Sequence, residues 1–270
     1  MFAKYLENVR STTPLVHCLT NYVTVNDCAN ALLACGASPI MADDLSEVAE
    51  ITTLCNATVV NIGTLNERTI KSMLVAAQTA NKIKHALVLD PVGAGASDLR
   101  THTAHTLLDQ ADFTVIRGNI SEIKALALKS NTTKGVDANL ADRINDGNLQ
   151  DSLQFIRSLS LDTNSIIAVS GALDVISDSH ESYIIKNGHP AMSKITGSGC
   201  MLTCLIAAYI AANPENVLQA TAAAVALMGI AGEMAAKINT GTGSMRSNIL
   251  DALSSIDGKL LEENIKIEKF

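Results

Sequence analysis

Four short stretches of the chain, 57-ATVVNIG-63, 86-ALVLDP-91, 113-FTVIRG-118 and 165-SIIAVSG-171, are near-continuous aliphatic and β-branched runs closed by glycine or proline. Runs of this kind are the pattern of strands covered on both faces. Between and before them, apolar positions recur at helical spacing over about 24–35, 46–54, 66–81, 98–110 and 119–128. The alternation predicts a three-layer α/β fold, a mainly parallel central sheet with helices on both faces. Past residue 171 the rhythm changes. Segments 173-LDVISD-178 and 182-SYIIKNG-188 predict an antiparallel hairpin, and two long alanine-rich helices are expected at 199–212 and 214–238, with Pro214 in the first turn of the second. Residues 129–150 are polar and read as surface loops with one short helix. There is no internal repeat, and a single domain over 1–270 is expected.

Composition narrows the function classes. The chain has 270 residues, 47% of them hydrophobic, no tryptophan and a formal net charge of −7. No run of lysine and arginine offers a nucleic-acid groove or a contact for an anionic membrane. The first twenty residues lack an export signature, and 200–212 and 217–232 fall short of a membrane span by length or polarity. Six cysteines, at 18, 28, 35, 55, 200 and 204, form neither C-x-x-C nor a zinc spacing. Reduced thiols and a cytoplasmic location are the expectation.

In an open parallel sheet, ligands sit beyond the carboxyl ends of the strands. The predicted strands end at Asp90, followed by Gly93 and Gly95, at Arg117-Gly118-Asn119, and at Ser170-Gly171. The segment 194-KITGSGCML-202 adds a glycine-rich turn into a helix, where Gly197 and Gly199 allow a close ligand approach and free N–H groups meet an anion. It reads equally as an ordinary tight loop. No G-x-x-x-x-G-K-[ST] phosphate loop occurs. Asp90 could serve a metal or cap a turn. Arg117 could neutralise phosphate oxygens. Asn119 and Glu122, three apart, could organise metal-bound water, although a plain capping arrangement is favoured for the pair. Asn21, Asn26 and Asn30 lie among apolar residues and need partners, from the backbone or a ligand. His17 reads as structural, Met41 as core or as the lining of an apolar ring pocket, and 239–253 as a helix–helix connection in which Ser244 or Ser247 caps the next helix.

Taken in order, HCLTNYVTVNDCAN at 17–30, GASPIMA at 36–42, LDPVGAGAS at 89–97, RGNISEI at 117–123, VSG at 169–171, TGSGCML at 196–202 and GTGSMR at 241–246 resemble the hydroxyethylthiazole kinase family of the ribokinase-like superfamily. The resemblance implies ATP- and Mg²⁺-dependent phosphorylation of 4-methyl-5-(2-hydroxyethyl)thiazole, and a homotrimer with interfacial sites. It implies that Met41 and Gly197 contact the thiazole alcohol, with Asn21 in the pocket wall. Arg117 and Ser170 would contact ATP, Asp90 and Glu122 would serve metal and phosphates, and Cys200 would sit beside the reacting hydroxyl. Ser170 stands where the family usually has threonine. The tail after Gly258 carries no family motif. A helix N-terminus lowers a thiol pKa, so a fraction of thiolate could accept the proton. A loose transition state needs little base assistance until late, and Cys200 is expected to position the alcohol with at most a modest base role. Three other readings compete: a kinase for another small heterocyclic alcohol such as hydroxymethylpyrimidine, a non-catalytic thiazole-binding protein, and a thiol hydrolase pairing Cys200 with His17. The last lacks a third orienting residue.

Overall fold

The structure, a computed structural model, describes residues 2–127, 143–238 and 241–270. Most of the 129–150 segment, residues 129–142, and Asn239 and Thr240, which open the 239–253 segment, lie outside the described residues. In chain order the elements are α1 (Ala3–Thr12), β1 (Leu15–Leu19), α2 (Val25–Cys35), β2 (Ser38–Ile40), α3 (Val48–Leu54), β3 (Ala57–Asn61), α4 (Glu67–Ile83), β4 (Ala86–Asp90), α5 (Asp98–Gln110), β5 (Val115–Asn119) and α6 (Ile120–Ala127). They continue with α7 (Leu149–Thr163), β6 (Ile166–Ser170), β7 (Asp174–Ser177), β8 (Ser182–Ile185), α8 (Ser198–Ala212), α9 (Val217–Lys237), α10 (Thr242–Ser255), α11 (Gly258–Asn264) and β9 (Ile267–Lys269).

All nine described strands join one sheet in the order β2-β1-β3-β4-β5-β6-β7-β8-β9, parallel from β2 to β6 and antiparallel from there on. The four expected strands and the hairpin are present. Side chains alternate between two helical layers, as a period of two requires. On β4, Val88 joins the core beneath α1, α2, α8, α9 and α10, while Leu87 and Leu89 join the core beneath α4, α5, α6 and α7. Helix α8 is buried nearly all round and packs on β1, β3 and β4, which fits its apolar sequence.

Several elements lie outside the expected set. The pair β1 and β2 extends the sheet by two strands. In β1, polar His17 interrupts the apolar run, yet it is fully buried: Nδ1 pairs with Thr52 Oγ1 at 3.0 Å and Nε2 with the Ala42 carbonyl at 2.7 Å. Burial lowers its pKa, leaving a neutral structural imidazole. In β2, Pro39 is tolerated because the strand lies on the sheet edge. The segment read as a connection at 239–253 forms helix α10, whose Met245, Ile249, Ala252 and Leu253 make a buried stripe. Helix α9 and the turn before it, Pro214–Lys237, are longer than the 217–232 segment considered above and are long and apolar enough to cross a membrane. In the fold, 78% of the most apolar window is buried against its neighbours, the packing of a core helix.

Chain reversal places the site. From β1 the chain moves to β2 on one side, then to β3 on the other. The carboxyl ends of β1 and β3 therefore flank a topological switch point, where open α/β sheets bind ligands.

Candidate active site

Asn21 follows β1, Asn61 ends β3, Asp90 ends β4, Arg117 and Asn119 lie at the end of β5, and Ser170 ends β6. Strand register sets the neighbours: Asn61 stands opposite Asp90, and Asn119 opposite Ser170. The N-terminus of α8 closes over this row with Gly197, Gly199 and Cys200.

Asp90 is fully buried. Its Oδ2 accepts from Asn61 Nδ2 and from Thr203 Oγ1, each at 2.7 Å. Its Oδ1 has no hydrogen-bond donor and faces Arg117 Nη1 at 3.7 Å. Burial pushes the Asp90 carboxyl above the usual carboxylate range, against the opposing pull of the Arg117 guanidinium and its hydrogen-bond donors. Arg117 donates from Nη2 to Ser170 Oγ at 2.6 Å. The Ser170 hydroxyl thus holds the guanidinium.

Asn61 is the hub of the polar row. It donates to Asp90 and, at 3.3 Å, to Cys200 Sγ, and it accepts from Asn21 Nδ2 at 3.0 Å and from the Gly63 N–H at 2.9 Å. Asn21 also donates to Cys200 Sγ at 3.2 Å and accepts from the Thr24 hydroxyl and N–H. Cys200 is buried, and its pKa is raised, first by burial and then by the Asp90 charge, with smaller opposing effects from Thr24 and Asn21. The direction is opposite to the lowering expected from the helix terminus, set by desolvation and a neighbouring carboxylate.

Glu122 and Asn119 form the reciprocal cap favoured from their spacing. Glu122 Oε2 accepts from the Asn119 N–H and Asn119 Oδ1 from the Glu122 N–H, both at 2.9 Å. Glu122 does one thing more: its Oε1 accepts from the Gly93 N–H at 2.8 Å, tying the loop after Asp90 to the start of α6. Arg100 fixes the same loop by donating to the carbonyls of Val92 and Gly63.

Two clefts open on this row. The smaller, about 310 Å³, is lined by Asn21, Thr24, Gly63, Glu122, Gly197 and Cys200, among others. The larger, about 780 Å³, runs outward along the sheet edge past Ser170, Asp174 and Lys186–His189 to Leu202, Val225 and Met228. Arg117, Asn119 and Gly199 line both. Met41 lines neither and packs partly buried against the core. Asn26 and Asn30 bond to each other on α2, away from the clefts. Asn61 and Thr203 belong to the polar row around Asp90, and neither is among the residues expected from the sequence. The one signal for Asn61 was a polar residue inside a buried strand run; Thr203 gave none, sitting in an apolar helix.

Gly199 is glycine because Arg117 occupies the space beside it: a Cβ there would stand 2.5 Å from Nη1. Gly197 adopts φ 88° against the Thr24 side chain. Alanine favours a helix over glycine by roughly 1 kcal/mol, but the obstructing guanidinium is buried, bonded to Ser170 and paired with Asp90. Gly199→Ala is therefore expected to lower the thermal midpoint. It is also expected to displace the guanidinium, lowering kcat/KM by at least about tenfold, or 1.4 kcal/mol. Steady-state kinetics beside a melting curve check both halves.

Comparison with known proteins places this arrangement. The profile of the Hydroxyethylthiazole kinase family matches residues 6–259. A hydroxyethylthiazole kinase of Clostridium acetobutylicum is 53% identical over 273 aligned positions, covering 100% of both chains. The structure of a hydroxyethylthiazole kinase from Pyrococcus horikoshii superposes with a TM-score of 0.90 at 34% identity, covering 100% of this chain and 98% of that one. A ribokinase-like superfamily protein of Enterococcus faecalis shares the fold, with a TM-score of 0.65 at 15% identity over 96% of this chain and 89% of that one.

Proposed function

The chain belongs to the hydroxyethylthiazole kinase family, and we propose that its larger cleft holds ATP, its smaller cleft the thiazole alcohol, and that phosphoryl transfer occurs where the two meet. The enzyme is an ATP-dependent kinase acting on hydroxyethylthiazole, a step of thiamine salvage. The observation that carries the assignment of the clefts is their shared wall: Arg117, Asn119 and Gly199 line both.

Phosphoryl transfer asks a protein mainly for positioning and charge stabilisation. The α8 N-terminus directs free N–H groups at the junction, and Arg117 supplies a cation there with its fork held by Ser170. Two carboxylates, Asp90 and Glu122, lie within the same row. This hard-oxygen, net-negative donor set fits Mg²⁺, which commonly binds through one or two carboxylates together with substrate phosphates. The unpartnered Asp90 Oδ1 leaves acceptor capacity for it. Among the described residues no group of three or more His, Cys, Asp or Glu forms a metal cage. When bound, Mg²⁺ neutralises the phosphate charge. Glu122 reaches the cleft surface, whereas Asp90 lines neither cleft and contributes from beneath.

Cys200 borders the alcohol cleft with a thiol that stays protonated near neutrality. A loose transition state needs little proton removal until late, so the thiol's part is to shape the pocket beside the hydroxyl. Cys200→Ala is expected to lower kcat by less than about 10²-fold, the lower bound of general-base effects, and to leave the shape of the kcat–pH profile unchanged. A larger loss, with an alkaline limb that vanishes in the variant, would make Cys200 a base.

The reading includes a homotrimer, supported by two features of the single chain. Met41 stands outside the cleft of its own chain, and Val23, 55% exposed, lines the alcohol pocket next to Tyr22, 79% exposed. Sedimentation equilibrium should return three times the chain mass; a monomer would remove this part. A cytoplasmic location, where six free thiols stay reduced, belongs to the same reading. The substrate choice is tested by ADP release with a panel of small alcohols. The thiazole alcohol should exceed hydroxymethylpyrimidine in kcat/KM by at least roughly tenfold, the scale of one pocket contact. The reverse order would replace the thiazole.

A further inference from the structure

The tail beyond Gly258 carries no family motif, yet it is bonded to the wall of the larger cleft. Strand β9 pairs antiparallel with β8, and the Lys186 N–H donates to the Lys266 carbonyl at 2.9 Å just past that pairing. The next residue, Asn187, is buried and serves as a clasp. Its Oδ1 accepts from the Lys266 N–H at 2.8 Å, and its Nδ2 donates to the Asn264 carbonyl at 3.0 Å and to Glu233 Oε1 at 3.2 Å. Glu233, on α9, takes three donors on that one oxygen: Asn187, the Gly188 N–H at 3.0 Å and Lys266 Nζ at 2.9 Å. Lys186 Nζ pairs with Glu268 on the tail.

Apart from the β8–β9 ladder and the Lys266–Glu233 pair, these bonds converge on Lys186–Gly188, which lines the larger cleft at its outer end. Strands lie about 4.8 Å apart, so the end of β8 is roughly 14 Å along the sheet edge from Arg117 on β5. With the phosphoryl groups at Arg117 and the α8 N-terminus, the Lys186–Gly188 backbone faces the nucleoside end of the nucleotide. We infer that the C-terminal segment Asn264–Glu268 is a positioning element of the nucleotide cleft, acting through Asn187 and Glu233 to fix the backbone against which the nucleoside rests. Glu233 is a positioning residue here, touching the Gly188 N–H and not the nucleotide.

The inference rests on the larger cleft being the nucleotide site, and the experiment separates the two. Glu233→Ala removes the acceptor shared by tail and loop. It is expected to raise the KM for ATP roughly tenfold, the worth of one to two hydrogen bonds. The kcat at saturating ATP and the KM for the thiazole alcohol should stay within about twofold. Glu233→Gln, which retains an oxygen for the Gly188 N–H, should recover most of the loss. In parallel, wild-type enzyme is photolabelled with 2-azido-ATP and digested, and the label should map to peptides lining the larger cleft. An unchanged KM for ATP in a folded Glu233→Ala enzyme would overturn the inference. So would a joint fall of kcat, both affinities and the thermal midpoint, which would make the clasp a general brace. A label mapping away from the cleft would instead remove the nucleotide assignment, and the inference with it.

Discussion

Arg117→Ala is expected to lower kcat by about 10³-fold, the lower end of what a cation aimed at a transferring phosphoryl group contributes. Three consequences act together. The positive charge leaves the wall shared by the two clefts, where transfer is proposed. Ser170 loses the group it holds at 2.6 Å. The buried Asp90 carboxylate loses its counter-charge at 3.7 Å, so burial drives it further toward the protonated form. Arg117→Lys restores the charge but not the fork that reaches Ser170 with one nitrogen and faces Asp90 with the other. It should recover only part of the rate. Steady-state kinetics on the two variants check this, and an alanine variant within tenfold of wild type would remove Arg117 from the chemistry.

Asp90→Asn should separate activity from stability. The expected loss in kcat is roughly 10²–10³-fold, the range seen when one preorganised electrostatic group is removed. The fold should not weaken at neutral pH. Asparagine keeps an oxygen for the Asn61 and Thr203 donors and removes a charge buried with one oxygen lacking a donor. The pH dependence follows from the direction of the Asp90 shift. A carboxyl whose folded pKa is raised favours the folded state most when protonated, and that contribution is lost as pH rises through the folded pKa. The asparagine variant should therefore melt at or above wild type at pH 7, with the difference shrinking as pH falls through the carboxylate range. Thermal melts across that range test the sign. A variant that melts well below wild type at pH 7 would make Asp90 a structural keystone.

The central strands β3 to β6 were legible because each is a short aliphatic run buried on both faces, and their last residues pointed to the site. Strand β1 was hidden by His17, whose burial is compensated by Thr52 and Ala42, 35 and 25 residues away, a pairing that no local pattern carries. Strand β9 has three residues and exists through its pairing with β8. Helix α10 was masked by the two glycines at its start, although its buried stripe was present in the sequence. In the site, Asp90, Arg117, Ser170 and the α8 N-terminus were readable as strand ends and a glycine turn. Asn61 joins the polar row only through its register opposite Asp90, a fact of tertiary pairing. The Cys200 pKa was misjudged in direction because the helix terminus is visible in sequence, while burial and the Asp90 charge are not.

The glycine-rich turn at 196–200 thus serves as one wall of a two-cleft site, with the thiol as part of the pocket lining. The most direct test combines coupled ADP release with phosphorus NMR of the product, using the purified enzyme with ATP, Mg²⁺ and 4-methyl-5-(2-hydroxyethyl)thiazole. The account predicts ADP release that depends on the alcohol and on the metal, with one phosphate transferred to the hydroxyethyl oxygen for each ADP formed. ADP release indifferent to the alcohol, or no phosphorylated thiazole, would contradict it.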